Sequence, residues 1–485
     1  MKSTRPSPQS VVAPLADMEP PCSCEATSPT AVDPTEPVAT SATNVRGLDA
    51  GQPRLRVPDR QQLLSPKIID DLLEADHPAR AVWSYVLKLD LTPLYDRILA
   101  RSGVAGRPAI DPRLLVALWL YATLTGVTRA RQLAVLCRRH DAFRWLAGGV
   151  SVNYHTLADF RTDNLEFLQT LLNQSVEMLR QQGLVDLDRV AQDGMRVRAS
   201  AGAASFRRRE TLEQLLLEAQ AKVQRLQQER MALPTDLPGE NDFEAERADA
   251  PACRSPRQEA AARRHAEERV ERIEAALERM PELEAKIEPG EKKQARVSTT
   301  DADATVMKMA DGGFRPAFNV EYSTACKGQA VVGADVVTVG SDQGQMPPML
   351  DQIEQRFGQR PQESLGDGGF VKLEDVTSIE AGGQCKVYMP VPKPKKETVN
   401  RYEPKATDSD EVAQWRQRMG TPEAQEIYKQ RAATAECVNA QARNRGLHQF
   451  VVRGLEKVKS VALWFAIVHN MARFFALQPQ LAGGP

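Results

Sequence analysis

The sequence predicts an α/β fold with an inserted helical hairpin, preceded by an all-helical domain. Three textures along the chain support this. Residues 63–180 place apolar side chains at helical period almost throughout. Runs of strand-like composition begin at 184 and resume after about 295, where they alternate with helical segments, the pattern of a sheet whose later strands are parallel. Between them, 207–230 and 262–286 repeat apolar residues at alternating four and three spacings.

Residues 1–55 mix Pro, Ser, Thr and Ala with few large apolar residues, and eight prolines fall within the first 50 positions. Such a composition cannot bury enough surface to offset chain entropy, which predicts a disordered tail. It holds no apolar stretch of signal-peptide type, and Cys22 and Cys24 lack companions at zinc spacing. The helical domain spans 60–182, with segments such as AVWSYVLKLDLTPLYDRILARSG, DPRLLVALWLYATLTG and NLEFLQTLLNQSVEMLRQQG. Gly103, Gly126 and Gly148 punctuate it, and Asp111-Pro112 reads as an N-cap followed by proline at the first helical position.

From 184, VDLDRVAQDGMRVRASAG is β-branched and ends in small residues, as a strand leaving toward a loop does. Leu212, Leu216, Ala219, Val223 and Leu226, then Ala266, Val270, Ile273, Leu277 and Met280, mark two heptad-like helices joined by a polar, Pro-containing loop. They predict an antiparallel hairpin over 207–290, inserted between two parts of one α/β domain at 184–206 and 295–480. VSTTDADATVMKM, FNVEYSTA and QAVVGADVVTVG predict a meander. PPMLDQIEQRFG then reads as a helix, ESLGDGGF as a short strand ending at a loop, VKLEDVTSIEAGG as a helix and CKVYMPVP as a strand. Residues 393–412 read as a loop, and 421–476 as helical with a break near Gly446. The most apolar window, VALWFAIV at 461–468, is eight residues long. A bilayer needs about 20, so this predicts a buried core helix and no membrane partner.

Composition narrows the function. Sixty-three Lys and Arg against 64 Asp and Glu leave a net charge of −1, so attraction to a polyanion must come from local segregation of charge. Between Asp96 and Arg144, nine arginines, among them Arg129, Arg131, Arg138 and Arg139, stand against three aspartates, a local net of +6. This is either a DNA-contacting surface of helix-turn-helix kind or a solvated basic face on a bundle. Seven scattered cysteines in a chain of this length fit a reducing cytosol and not a disulfide scaffold.

Covalent hydrolase arrangements find little support: there is no HExxH and no serine in a G-x-S-x-G elbow. A P-loop and a dinucleotide glycine fingerprint are also missing from the sequence. Acids remain. Asp193 and Asp367 each stand at the end of an apparent strand, and Glu436 lies on a later helix. Magnesium takes oxygen ligands and keeps several waters, so one or two carboxylates per ion suffice, with substrate phosphate completing the shell. Two such ions suit phosphodiester cleavage and transfer. An Asp before Gly is, on the other side, an ordinary turn residue. Along the helix, Tyr428 and Arg443 lie about 80° and 20° from Glu436, on one face, whereas Arg431 falls off that face by about 140° on an ideal α-helix. The alternative for this helix is a solvated charged surface.

QDGMRVRASAG, GSDQGQMPPML, LGDGGFVKLEDV and YKQRAATAECVNAQARNRGLHQFVVRGLEKVKSVALWFAIVHN, in that order, resemble a bacterial insertion-sequence transposase of the DDE type. GRPAIDPRLLVALWLYATLTGVTRARQLAVLCRRHDAFRWLAGG resembles the helical N-terminal domain of such enzymes, so the likeness covers about 60–480. It implies an RNase H-like catalytic domain that cuts DNA at the element's terminal inverted repeats and joins the 3′ ends to target DNA. By motif position Asp193, Asp367 and Glu436 become the three acids and the ligands of two Mg2+ ions, with Mn2+ as a substitute. Asp342, in GSDQGQ, is the rival for the second acid. Related families separate the Arg and Glu of a Tyr-Arg-Glu signature by three residues, and here Arg431 and Glu436 have four between them. Tyr428, Arg431, Arg443, Arg445 and the Arg129–Arg139 group become DNA contacts. The likeness further implies double-stranded DNA as partner, a homodimer when DNA is bound, and a cytoplasmic, nucleoid-associated location. The hairpin becomes either a synapsis or dimerisation element or a packing insert. A simple metal-dependent nuclease and a domesticated DNA-binding protein without chemistry are the alternative functions.

Overall fold

A computed structural model describes residues 68–100, 108–231, 255–286, 294–394 and 400–482. The expected tail at 1–55 and the expected loop between the two heptad-like helices lie outside the described residues. The described residues belong to one compact unit.

The helical region contains α1 (Pro78–Val86), α2 (Thr92–Asp96), α3 (Pro112–Leu124), α4 (Ala130–Arg139), α5 (Asp141–Ala147), α6 (Tyr154–Thr162) and α7 (Leu165–Gln181). Their starts follow the side chains that satisfy free N–H groups. Asp111 accepts from the Arg113 amide at 2.8 Å ahead of Pro112, and Asn153 accepts from the Thr156 amide at 2.8 Å. α3 is buried at Pro112 and from Leu114 to Thr123, so it is the centre of this region, and Trp119 Nε1 donates to the Leu157 carbonyl at 2.9 Å.

Next come β1 (Arg189–Arg198) and β2 (Phe206–Arg207), then α8 (Arg209–Met231), α9 (Pro256–Ala285) and β3 (Val297–Ser298). β2 and β3 pair antiparallel, forming a neck from which the helical hairpin grows. Leu212, Ala219, Ile273, Ala276 and Met280 form its buried seam and pack onto Val297, while Arg209 and Glu284 pair across it at 2.6 Å. The strand-like stretch VSTTDADATVMKM, the first of the expected meander, is broken after Ser298. Ser298 Oγ accepts from the amides of Thr300 and Asp301 at 3.1 Å each, which turns the chain before β4 (Thr305–Lys308).

The remaining strands and helices are β5 (Phe314–Ala325), β6 (Val331–Val337), α10 (Met346–Phe357), β7 (Glu363–Leu365), α11 (Leu373–Glu380), β8 (Lys386–Tyr388), α12 (Asp410–Met419), α13 (Pro422–Arg431), α14 (Cys437–Asn444) and α15 (Leu455–Ala482). Among the described residues six strands form one mixed sheet in the order β4-β5-β1-β7-β8, with β6 also on β5. The meander is antiparallel, whereas β7 joins β1 and β8 joins β7 in parallel, each after a helix. An α/β arrangement is thus present as the alternating sequence textures predicted.

α15 ties the molecule together. It packs on β6 of the sheet and on α3, α6 and α7 of the helical region. Asn470 caps the edge of β6, accepting from the Val331 amide at 2.7 Å and donating to its carbonyl at 2.9 Å. Tyr322 of β5 donates to the Ala462 carbonyl at 2.9 Å. The apolar stretch of this helix is longer than its eight-residue centre suggested: Leu455–Gln478 has the length and hydropathy of a bilayer span, but most of it is buried inside the protein. It is the core helix.

Candidate active site

β1 is central, and its two edges differ. β5 pairs with it from Val190 to Arg198, whereas β7 pairs only with Arg189–Ala191 before the chain turns away at Gly366. At the far end, the Arg198 amide donates to the His448 carbonyl at 3.2 Å and the Phe450 amide to the Arg198 carbonyl at 2.8 Å. Between these two contacts a cleft of about 770 Å³ opens, lined by Asp193, Asp342 and Asp367 together with Arg196, Arg198, Arg315 and Arg443. A cleft where a strand parts from its parallel neighbour is where α/β sheets bind ligands.

Asp193 lies within β1 and not at its end, as the sequence texture had suggested. Asn439 Nδ2 donates to Asp193 Oδ2 at 2.9 Å, and Arg431 stands 3.9 Å from Oδ1. Burial pushes the Asp193 carboxyl up to about 6; Arg431 opposes that rise, and the charges of Asp367 and Asp342 add to it. Asp367 follows β7 and caps the short helical turn after it, accepting from the Gly369 amide at 2.7 Å. Asp193 and Asp367 therefore come together from neighbouring parallel strands.

Glu436 joins them through an arginine. Arg431 Nη2 donates to Glu436 Oε1 at 2.7 Å, and the Arg431 side chain is only 13% exposed against 58% for Glu436. The expected 140° offset between the two does not occur, because Ala432–Glu436 is a π-helical turn. Its i→i+5 bonding sets residues five apart one turn from each other, and such single π turns recur at functional sites. The turn absorbs the extra residue in the Tyr-Arg-Glu spacing. Tyr428 completes the group with a hydrogen bond to Arg431, and burial, its largest influence, raises its phenol pKa.

Two residues missed by the sequence reading sit behind the acids. Asn319 Nδ2 donates to Glu321 Oε1 and to Asp342 Oδ1, both at 2.7 Å. Burial and the adjacent Asp342 hold the Glu321 carboxyl well above the usual carboxylate range. The available signal was the alternation of Asn319, Glu321 and Ser323 along an otherwise apolar strand, which puts three polar groups on one buried face.

The other expected contacts are spread out. Arg443 lines the cleft, while Arg445 is half-buried, with burial lowering its pKa. Arg129, Arg131, Arg138 and Arg139 are exposed on or beside α4, where Arg131 lies 5.0 Å over the Tyr154 ring. They do not line the cleft.

The donor set for a cation is all oxygen, which suits a hard divalent ion in kind. Among the described residues no three Asp, Glu, His or Cys groups converge on one ion position, and the Glu436 carboxylate is turned onto Arg431. The crowded acids favour a positive charge between them, since Asp193 feels both Asp367 and Asp342.

Acids and arginines line one cleft of a mixed sheet, a lining whose charges suit a phosphate ester and a cation. Two family models match the chain, one described as a transposase DDE domain over residues 377–475, the other as a transposase domain (DUF772) over 67–163. The two matches, each over about a fifth of the chain, indicate a DDE-type transposase of an insertion-sequence family. No curated protein and no solved structure matches the chain. The first match includes Tyr428, Arg431, Glu436 and Arg443, whereas Asp193 and Asp367 lie outside it; the second includes α1 to α6. Transposases act on DNA, and DDE transposases generally use divalent metal ions.

Proposed function

We propose that this transposase cleaves DNA at the ends of its insertion sequence and joins the freed 3′ ends to target DNA, with Asp193, Asp367 and Glu436 as its acids. The observation that carries the proposal is the meeting of Asp193 and Asp367 at a cleft lined by Arg196, Arg198, Arg315 and Arg443. The domain is read as RNase H-like, because a three-strand antiparallel meander continues into two parallel strands, with the first acid on the central strand.

Asp193 and Asp367, joined by Glu436 once it leaves Arg431, would hold divalent cations. When bound, two such ions supply the charge that the attacking and leaving oxygens of an in-line displacement require. The chain itself does the rest. Asn439 orients the Asp193 carboxylate. Arg443 and Arg198 hold phosphates along the cleft, and the exposed arginines of α4 hold duplex DNA outside it. Water attacks first, and the liberated 3′-hydroxyl then attacks target DNA at the same acids. Two element ends must be held at once, so the DNA-bound form is a homodimer acting at the nucleoid.

The test is incubation of labelled DNA bearing the flanking repeats with protein and target, in Mg2+, in Mn2+ or with EDTA. Nicking at the repeat boundary and joined products are expected with either ion, and neither with EDTA. Nicking without joining would reduce the protein to a nuclease, and binding without nicking would leave it a DNA-binding protein only. Arg443→Ala should flatten the fall of log affinity with log salt by about 0.9, the value of one phosphate contact on duplex DNA. Binding titrations between about 50 and 200 mM salt check this; an unchanged slope removes Arg443 from the DNA path.

A further inference from the structure

We propose that Asp342 is a fourth carboxylate of the site, that it takes a divalent cation together with Asp367, and that Asn319 and Glu321 hold it in place. The proposal rests on the transposase reading for what the cleft binds. Its geometry begins at Gly194. In the β1–β5 register Gly194 opposes Glu321 and Arg196 opposes Asn319, so these residues share one face of the sheet. A Cβ at position 194 would meet Asp342 Oδ1, Glu321 Oε1 at 2.8 Å and Asn319 Oδ1 at 3.1 Å. Three oxygens thus crowd the notch that the glycine leaves.

Asn319 explains how Asp342 is aimed. Its amide nitrogen serves both Glu321 and Asp342, which fixes the amide's orientation and leaves Oδ1 without a partner, although the residue is fully buried. An unpartnered buried oxygen is costly. Here it is an acceptor for a donor entering the notch, such as a water. Glu321, 1% exposed, is hydrogen-bonded to Asp342 from the same side. With Oδ1 so engaged, Asp342 Oδ2 turns toward Gly369: a Cβ there would stand 3.0 Å from Asp342 Oδ2 and 2.9 Å from Asp367 Oδ1. Both carboxylates line the cleft. One or two carboxylates with waters and a substrate phosphate are enough for Mg2+.

The segment carrying Asp342 is pinned on several sides, as a ligand-bearing loop requires. Arg279 of the hairpin donates to Thr338 Oγ1 at 3.0 Å, and Gln343 Nε2 to the Val371 carbonyl at 3.0 Å. The Gly344 amide donates to Asp375 Oδ2 at 2.8 Å, and Gln192 Nε2 to the Gln345 carbonyl at 3.2 Å.

The experiment titrates the full chain with Mn2+ alone, reading free Mn2+ by electron paramagnetic resonance, and then measures cleavage across Mn2+ concentrations. Asp342→Asn and Asp367→Asn are expected to lose the same class of bound Mn2+. Glu321→Gln should weaken that binding about tenfold, as loss of a supporting hydrogen bond around a metal ligand does. It should also shift half-maximal cleavage to higher Mn2+, a change that a merely structural role would not produce. If Asp342→Asn does not fold, judged by its melting curve, Gly194→Ala decides: it keeps every carboxylate but displaces Asp342, and wild-type Mn2+ binding would overturn the proposal. If Asp342→Asn binds Mn2+ and cleaves as wild type does, the inference falls and the transposase reading stands. If wild type itself neither binds Mn2+ nor cleaves, both fall.

Discussion

Asp193→Asn should abolish metal-dependent cleavage, by a factor of about a thousand or more, while DNA affinity changes little. The size follows from the charge removed: transition-state charge stabilisation at such a centre amounts to several kcal/mol, and each 1.36 kcal/mol is about tenfold in rate. The fold should survive, because an asparagine oxygen can still accept from Asn439 Nδ2, which lies 2.9 Å from the present carboxylate. Stability gives a second, independent readout. The Asp193 carboxyl is raised from its ordinary 3.8 to about 6, chiefly by burial. A raised acid binds its proton more tightly in the folded than in the unfolded chain. Its favourable contribution is therefore complete below about 3.8 and is lost as pH rises through about 6. In metal-free protein at pH 7 the neutral asparagine should accordingly raise stability, on the order of 3 kcal/mol, with the gain vanishing toward pH 4. Cleavage by the variant within tenfold of wild type, measured on the same labelled ends, would sink the assignment of Asp193.

How far these residues were readable depends on how local the determining physics is. Asp367 was legible because a short strand, a glycine and an acid occur consecutively, and the parallel pairing of β7 with β1 sets it beside Asp193. The depth of Asp193 within β1 was not legible. It depends on β7 parting from β1 after Leu365 while β5 continues along the whole strand, which is a tertiary fact. Arg431 was misjudged for a different reason. An offset of about 140° between Arg431 and Glu436 holds only for an ideal α-helix, and one π turn changes which residues share a face. Glu321 and Asn319 were visible as polar positions alternating in FNVEYSTA. Only the cross-strand register sets them against Gly194, and only the β6–α10 loop brings Asp342 to meet them.

The helical region shows the limit of reading segments one by one. Its helices were evident from periodicity, and Asp111 caps α3 as its sequence implies. What periodicity leaves open is where their apolar faces go. α3 is buried along nearly all its length, more than a small bundle of short helices could cover, and α15, some 330 positions later in the chain (455 against 124), supplies a covering surface. Trp464 sits at that seam.

Trp464→Ala should cost about 3–5 kcal/mol, the usual penalty for emptying a buried tryptophan site, out of a total that is only about 5–15 kcal/mol for a folded domain. The side chain is fully buried, its ring lies 6.4 Å from that of Phe160, and its Nε1 donates to the Arg161 carbonyl at 3.1 Å. Arg161 magnifies the effect. It is buried, donates to the Thr128 carbonyl at 2.5 Å and stacks 4.6 Å over Trp119, and burial lowers its pKa to about 10. A cavity at 464 loosens the packing that keeps this cation in place. Trp464→Phe separates the contributions: most of the volume stays, the Arg161 carbonyl loses its donor, and about 1–3 kcal/mol is the expected loss. Denaturant unfolding of the full chain measures both, and the shape of the curve carries as much as its midpoint. Because one helix packs on both the sheet and the helical region, wild type should unfold in a single transition, whereas a weakened seam should let the helical region unfold first and split the curve. A loss below about 1 kcal/mol for Trp464→Ala, within the ordinary range of a surface change, would mean that α15 covers the helical region without holding it.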